Sequence, residues 1–76
     1  MENKEGCNME IRYRIHNQDG DLQEEGTLVG NWREDGRIEF NRPIELHQNQ
    51  KLLFTWHGGE KSFQSTVKEP TIINGL

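Results

Sequence analysis

Little in this chain is set aside for covalent chemistry or rigid framework. Among its 76 residues are one cysteine, Cys7, and two prolines, so no intramolecular disulfide can form, and a lone thiol fits a reducing compartment. Apolar residues make up 30% of the sequence, and no uninterrupted run approaches the roughly 18 residues of a membrane-spanning helix. Residues 1–8 lack the apolar centre of a secretory signal. A cytoplasmic protein is expected. Basic residues are also short: nine Lys and Arg stand against thirteen Asp and Glu, a net charge of -4. Binding to a nucleic-acid polymer draws its strength from counterions released by a basic surface, so that partner class is excluded. A chain this short buries only about 60% of its unfolded surface, which leaves a small core to which a protein partner or homo-oligomer would add stability.

What the chain does have is alternation of apolar and polar residues, broken at intervals by turn residues. Over residues 9–16, Met9, Ile11, Tyr13 and Ile15 share one face, and Glu10, Arg12, Arg14 and His16 the other. That is a half-buried strand, with residues 1–8 a flexible polar tail holding Cys7. Asn17-Gln18-Asp19-Gly20 closes as a four-residue turn and sets Ile15 opposite Leu22, Arg12 opposite Glu25 and Met9 opposite Leu28. Residues 22–26 are too short and too polar to nucleate a helix and read as an irregular edge strand with a bulge at Gly26.

Register decides the next hairpin. A two-residue turn at Asp35-Gly36 would bury neither Trp32 nor Phe40 well. A three-residue loop of Glu34, Asp35 and a left-handed Gly36 places Trp32 opposite Ile38 and Gly30 opposite Phe40 on one apolar face. Arg42-Pro43 interrupts this ladder before Ile44 and Leu46 resume the inward parity, and His47-Gln48-Asn49-Gln50 turns the chain again. Gly58-Gly59 signals a last hairpin with Phe54 opposite Phe63 and Leu52 opposite Ser65, so that Leu52, Phe54, Trp56, Phe63 and Val67 line one face. Pro70 ends that strand, and residues 71–73 add a short sixth before a frayed Asn74, Gly75 and Leu76. The fold class is all-β: a small antiparallel six-stranded β-barrel or sandwich, a meander of hairpins forming a single domain over residues 9–76.

Chemical motifs are sparse. His16, His47 and His57 fall at turns without the spacing of a metal site. Gly58-Gly59 has no helix or lysine after it to hold a phosphate. Adjacent acids such as Glu24 and Glu25 point to opposite faces of a strand and make no acid/base pair. Ser62 and Ser65 lack a nucleophile elbow and a base. Trp32 and Trp56 have inward parity and read as core residues. No enzyme is expected, and no metal.

The stretch over residues 26–46, followed by Lys51-Leu-Leu-Phe-Thr-Trp and Phe63-Gln-Ser-Thr-Val, resembles the central strands of a PilZ domain. Asn31 and Gly36 match the spacing of that family's [Asp/Asn]-x-Ser-x-x-Gly signature, with Arg33 in place of the serine. The family's paired arginines, four apart ahead of the first strand, have no counterpart: Arg12 and Arg14 are two apart and lie within the strand. The resemblance implies a six-stranded barrel, a bacterial regulatory role, and cyclic di-GMP as a candidate ligand, with no other cofactor. It directs attention to Asn31, Arg33, Gly36 and Arg37, and through the arginine requirement to Arg12 and Arg14. Two arginines would supply most of the charge compensation for such a ligand through bidentate phosphate contacts. Arg33 and Arg37 face each other across the hairpin neck, where Glu39 and Glu34 are positioned to neutralise them. Arg12 has Glu25 as its expected partner.

Three readings follow. A degenerate PilZ-like protein-interaction adaptor predicts an exposed apolar patch at Leu53, Val29 or Ile73, or an open strand edge. A cyclic di-GMP sensor predicts Asn31 and Arg33 on an accessible concave surface. A small enzyme lacks any convergent polar cluster.

Overall fold

The computed structural model describes residues 7–76. Six strands run β1 (Cys7–His16), β2 (Leu22–Trp32), β3 (Ile38–Leu46), β4 (Lys51–Trp56), β5 (Gly59–Gln64) and β6 (Thr71–Gly75), and no helix is present among the described residues. All pairings are antiparallel, in the order β5-β4-β1-β2-β3-β6. The all-β class expected from alternation is what forms. A simple meander does not, because β4 returns to pair with β1, and β6 crosses back to β3. Residues 1–6 of the expected tail lie outside the described residues; Cys7 and Asn8, expected in that tail, instead open β1, opposite Trp32 and Asn31.

The sheet curls until its inner faces meet. Phe40 on β3 and Phe54 on β4, strands that do not pair, bring their rings to 5.0 Å, and Phe63 meets Phe54 edge-on at 5.8 Å. Around them lie Ile11, Tyr13, Ile15, Leu28, Ile38, Ile44, Leu46, Leu52 and Ile73, with Met9, Trp56, Phe63 and Leu76 packed at the margin. Curvature this tight needs side chains missing from the concave face. On β2, Gly26 sits under the Tyr13 ring and Gly30 under Ile11 and Ile38, and a Cβ at either would lie within 2.8 Å of them. The curl stops short of closure: among the described residues β5 and β6 are unpaired outer edges, so the fold is a half-barrel.

The hairpin joining β2 and β3 forms in the register that apolar parity selects. Gly30 faces Phe40 and Trp32 faces Ile38, with Gly36 at φ 89°. The ladder spans only these pairs and Asn31 with Glu39, and then the strands part. At the parting, Asn41 replaces a backbone partner with its side chain, Oδ1 accepting from the Val29 amide at 3.0 Å. Pro43 has no N–H to continue the ladder. β3 pairs on its other side with β6, and an irregularity between Glu39 and Ile44 sets Ile44 against Ile73.

Two registers differ from expectation. The first loop holds five residues: Asn17 Oδ1 accepts from the Asp19 and Asp21 amides, both at 2.9 Å, and Asn17 N–H donates to the Asp21 carbonyl. With a further slip between Ile15 and His16, Arg14 faces Glu25, Arg12 faces Thr27, and Ile11 faces Leu28. The last hairpin turns at His57-Gly58, with Gly58 at φ 117°, so Leu52 faces Phe63 and Phe54 faces Lys61. Val67, expected inward, follows the end of β5 and is exposed. The end expected to fray is held, as Ile38 and Leu76 exchange backbone hydrogen bonds of 3.1 and 2.7 Å.

Candidate functional site

The arginine hairpin is built by its turn. Arg33 N–H donates to the Arg37 carbonyl at 2.8 Å, and Gly36 N–H to the Arg33 carbonyl at 3.0 Å, which places the two arginines side by side at the neck. Both are paired with carboxylates: Arg33 Nη1 lies 3.3 Å from Glu39 Oε1, and Arg37 Nε 3.4 Å from Asp35 Oδ2. Glu39 was the expected neutraliser; Asp35 takes the place expected of Glu34. These pairs are exposed and contribute little stability. They border an open hollow of about 620 Å³ that reaches Ile38 and Asn74. Asn31 stands opposite Glu39, its Oδ1 buried without a hydrogen-bond partner. Gly36 points into open space and serves the turn.

Arg12 and Arg14 do not join this group. Cys7 is the β1 residue opposite Trp32 at the hairpin, so Arg12 lies five residues, about 17 Å, farther along the strand. Arg14 Nε is 3.5 Å from Glu25 Oε1, the partner expected for Arg12, whose own neighbours are Thr27 and Thr55.

A polar cluster that the sequence reading missed fills the parting between β2 and β3. The Tyr13 hydroxyl donates to Glu24 Oε2 at 2.9 Å, and Arg42 Nη2 donates to that hydroxyl at 3.4 Å and to the Thr27 carbonyl at 3.5 Å. The Arg42 guanidinium lies over the Tyr13 ring, 5.5 Å from its centroid. Gln50 Nε2 donates to Gln23 Oε1 at 2.8 Å. These side chains span a gap that backbone pairing leaves, and Arg42 reaches the Thr27 carbonyl there. Asn41 and Pro43 two apart in a strand were the available signal.

The apolar surface falls elsewhere than parity alone suggests. Val29 is exposed as expected and Leu53 half-buried, but Ile73 belongs to the core, and Ile72 is the exposed residue at 55%. Ile73 pairs with the buried Ile44 and Ile72 with the exposed Glu45, which makes this exchange. Trp32, expected in the core, is 42% exposed because it ends the β2 ladder at the rim of the curl, while Trp56 is half-buried against the core. The two outer strands differ in character. β5 presents Glu60 and Lys61 among Gly59–Gln64; β6, Thr-Ile-Ile-Asn-Gly, has no charged residue. Charged side chains are the usual guard against strand addition, and β6 has none.

Among the described residues no group of three or more His, Cys, Asp and Glu side chains is arranged to hold a metal, and no helix is long and apolar enough to cross a membrane. Compared with known proteins, the chain matches no protein-family model, no curated protein and no solved structure.

Proposed function

We propose that this protein is a non-enzymatic binding module, a PilZ-like half-barrel that acts as a protein-interaction adaptor. The observation that carries the reading is the β6 edge: an outer strand with no charged residue and with its own Ile72 exposed. Such an edge accepts an extended segment by strand addition, main-chain hydrogen bonds giving affinity and alternate side chains giving selectivity. The charged β5 edge does not invite the same pairing. Selection of random peptides displayed on phage against the immobilised protein tests this. The peptides expected are apolar and extended, and they lose about tenfold or more in affinity on an Ile72→Lys variant while a Lys61→Glu variant binds unchanged. Peptides that ignore Ile72→Lys, or that depend on Lys61, would defeat the assignment to β6.

A second reading, a cyclic di-GMP sensor, rests on Arg33 and Arg37 standing together beside an open hollow. Against it, Glu39 and Asp35 already engage the two guanidinium groups, and Arg12 and Arg14 are too distant to add charge. On the adaptor reading, an amide-resolved NMR titration with cyclic di-GMP to millimolar concentration leaves Asn31, Arg33 and Gly36 unmoved. Saturable shifts at those residues would restore the sensor.

A further inference from the structure

From the β6 edge we infer that its occupant is a second copy of this chain, paired antiparallel across a two-fold axis through Ile72. This rests on the reading of β6 as a docking edge and names what docks there. A two-fold interface must be self-complementary, since every residue meets a copy of the same surface. β6 meets that condition in charge. Its residues Thr71–Gly75 carry none, whereas a two-fold on β5 through Glu60 or Lys61 would set like charges directly opposite, which is destabilising.

Register then selects the axis. Centred on Ile72, the pairing sets Ile72 against its own copy on the outer face and Thr71 against Ile73, so the two most exposed large apolar side chains, each 55% exposed, cover one another. Centred on Ile73, it would gain nothing on the inner face, where Ile73 is only 8% exposed, and would leave Ile72 opposite Asn74. Shifting by one residue moves the apolar pair to the wrong face, so the choice is sharp. Pro70, which has no N–H, limits the ladder at one end and falls opposite Asn74 of the other copy. The product is a continuous twelve-stranded sheet whose remaining edges are the two charged β5 strands. That arrangement closes as a dimer, whereas pairing β6 with β5 of the next copy would propagate without end. A five-residue edge buries less than a standard interface, which places the dimer's dissociation constant in the micromolar range.

Cross-linking reads the register directly. Residues directly opposite in an antiparallel pair have Cα atoms about 4.5–5.5 Å apart, within disulfide range. In a Cys7→Ser background, Ile72→Cys is expected to form a covalent dimer under mild oxidation. Asn74→Cys, on the same exposed face, is expected to stay monomeric, because its two copies lie four positions apart along the strand, about 13 Å and beyond disulfide reach. Sedimentation equilibrium of the parent at about 0.5 mM, well above a micromolar dissociation constant, shows twice the chain mass. The Ile72→Lys variant, its fold checked by circular dichroism, shows the single mass because two lysines then meet on the axis. A parent that is monomeric at that concentration, with no Ile72→Cys cross-link, overturns self-pairing. So does an Asn74→Cys cross-link as efficient as that of Ile72→Cys. If self-pairing fails while selected peptides still need Ile72, the docking edge stands and its occupant is another protein. If peptides and second copy both ignore β6, both readings fall.

Discussion

Replacing Phe54 with alanine is expected to remove most of the protein's stability. Phe54 is fully buried, packs on Phe40 at 5.0 Å and on Phe63 at 5.8 Å, and joins the two faces of the curled sheet. Truncating such a ring costs about 3–5 kcal/mol, from lost transfer energy and the cavity left behind. At about 0.05–0.15 kcal/mol per residue, 76 residues have about 4–11 kcal/mol in all, and a small core favours the lower end. Urea denaturation of Phe54→Ala should show a midpoint near zero denaturant or no cooperative transition. A loss below about 1.5 kcal/mol, the range of a tolerated volume-conserving swap, would mean that the layers are not held through this residue.

The second large effect is expected at Gly75. A Cβ there would stand 2.5 Å from the Ile38 carbonyl oxygen, a backbone atom that cannot rotate away. Gly75→Val therefore lifts the end of β6, breaking the two Ile38–Leu76 hydrogen bonds and releasing Leu76 from the core margin. Overpacking and two lost hydrogen bonds together come to about 2–6 kcal/mol. Amide exchange locates the damage: Ile38 and Leu76 are expected to lose protection, while Ile11 and Phe54 change only through global stability. Unchanged protection at Ile38 would show that β6 is not seated on β3 as described.

These two residues also mark what was legible in the sequence. Phe54 was readable as core because strict alternation fixes which side chains share a face. The β2–β3 hairpin was readable because only one loop length puts Gly30, Trp32, Ile38 and Phe40 on a common face. Gly75 was not, because its constraint comes from a strand thirty-six residues away in sequence and from no local pattern. The same limit moved the apolar surface from Ile73 to Ile72, since pairing with Ile44 and Glu45 on β3 sets that parity. The last hairpin shows a different difficulty: Gly58 and Gly59 are both free to turn, and local sequence does not choose between them. The choice is made by Trp56, whose ring lies over Gly59 so closely that a Cβ there would meet Cζ2 at 3.1 Å. Gly59 is the seat of the ring, and Gly58 makes the turn.

The candidate site divides in the same way. Arg33 and Arg37 stand together at the hairpin neck because a three-residue loop leaves them no other arrangement. The separation of Arg12 and Arg14 from that pair follows from a loop one residue longer than expected, closed by the Asn17 side chain, and from a slip beside it. The Tyr13, Glu24 and Arg42 cluster follows from Asn41 and Pro43 ending the β2–β3 ladder, a consequence that appears only once the strands are placed.

The proposed pairing of this half-barrel with a second copy of itself through β6 is read best by amide-resolved NMR of the isotopically labelled protein as unlabelled protein is added. Saturable shifts confined to Thr71–Gly75 and their β3 neighbours Ile44, Glu45 and Leu46 are the predicted result. Shifts centred on Glu60 and Lys61, or spectra unchanged by concentration, would contradict it.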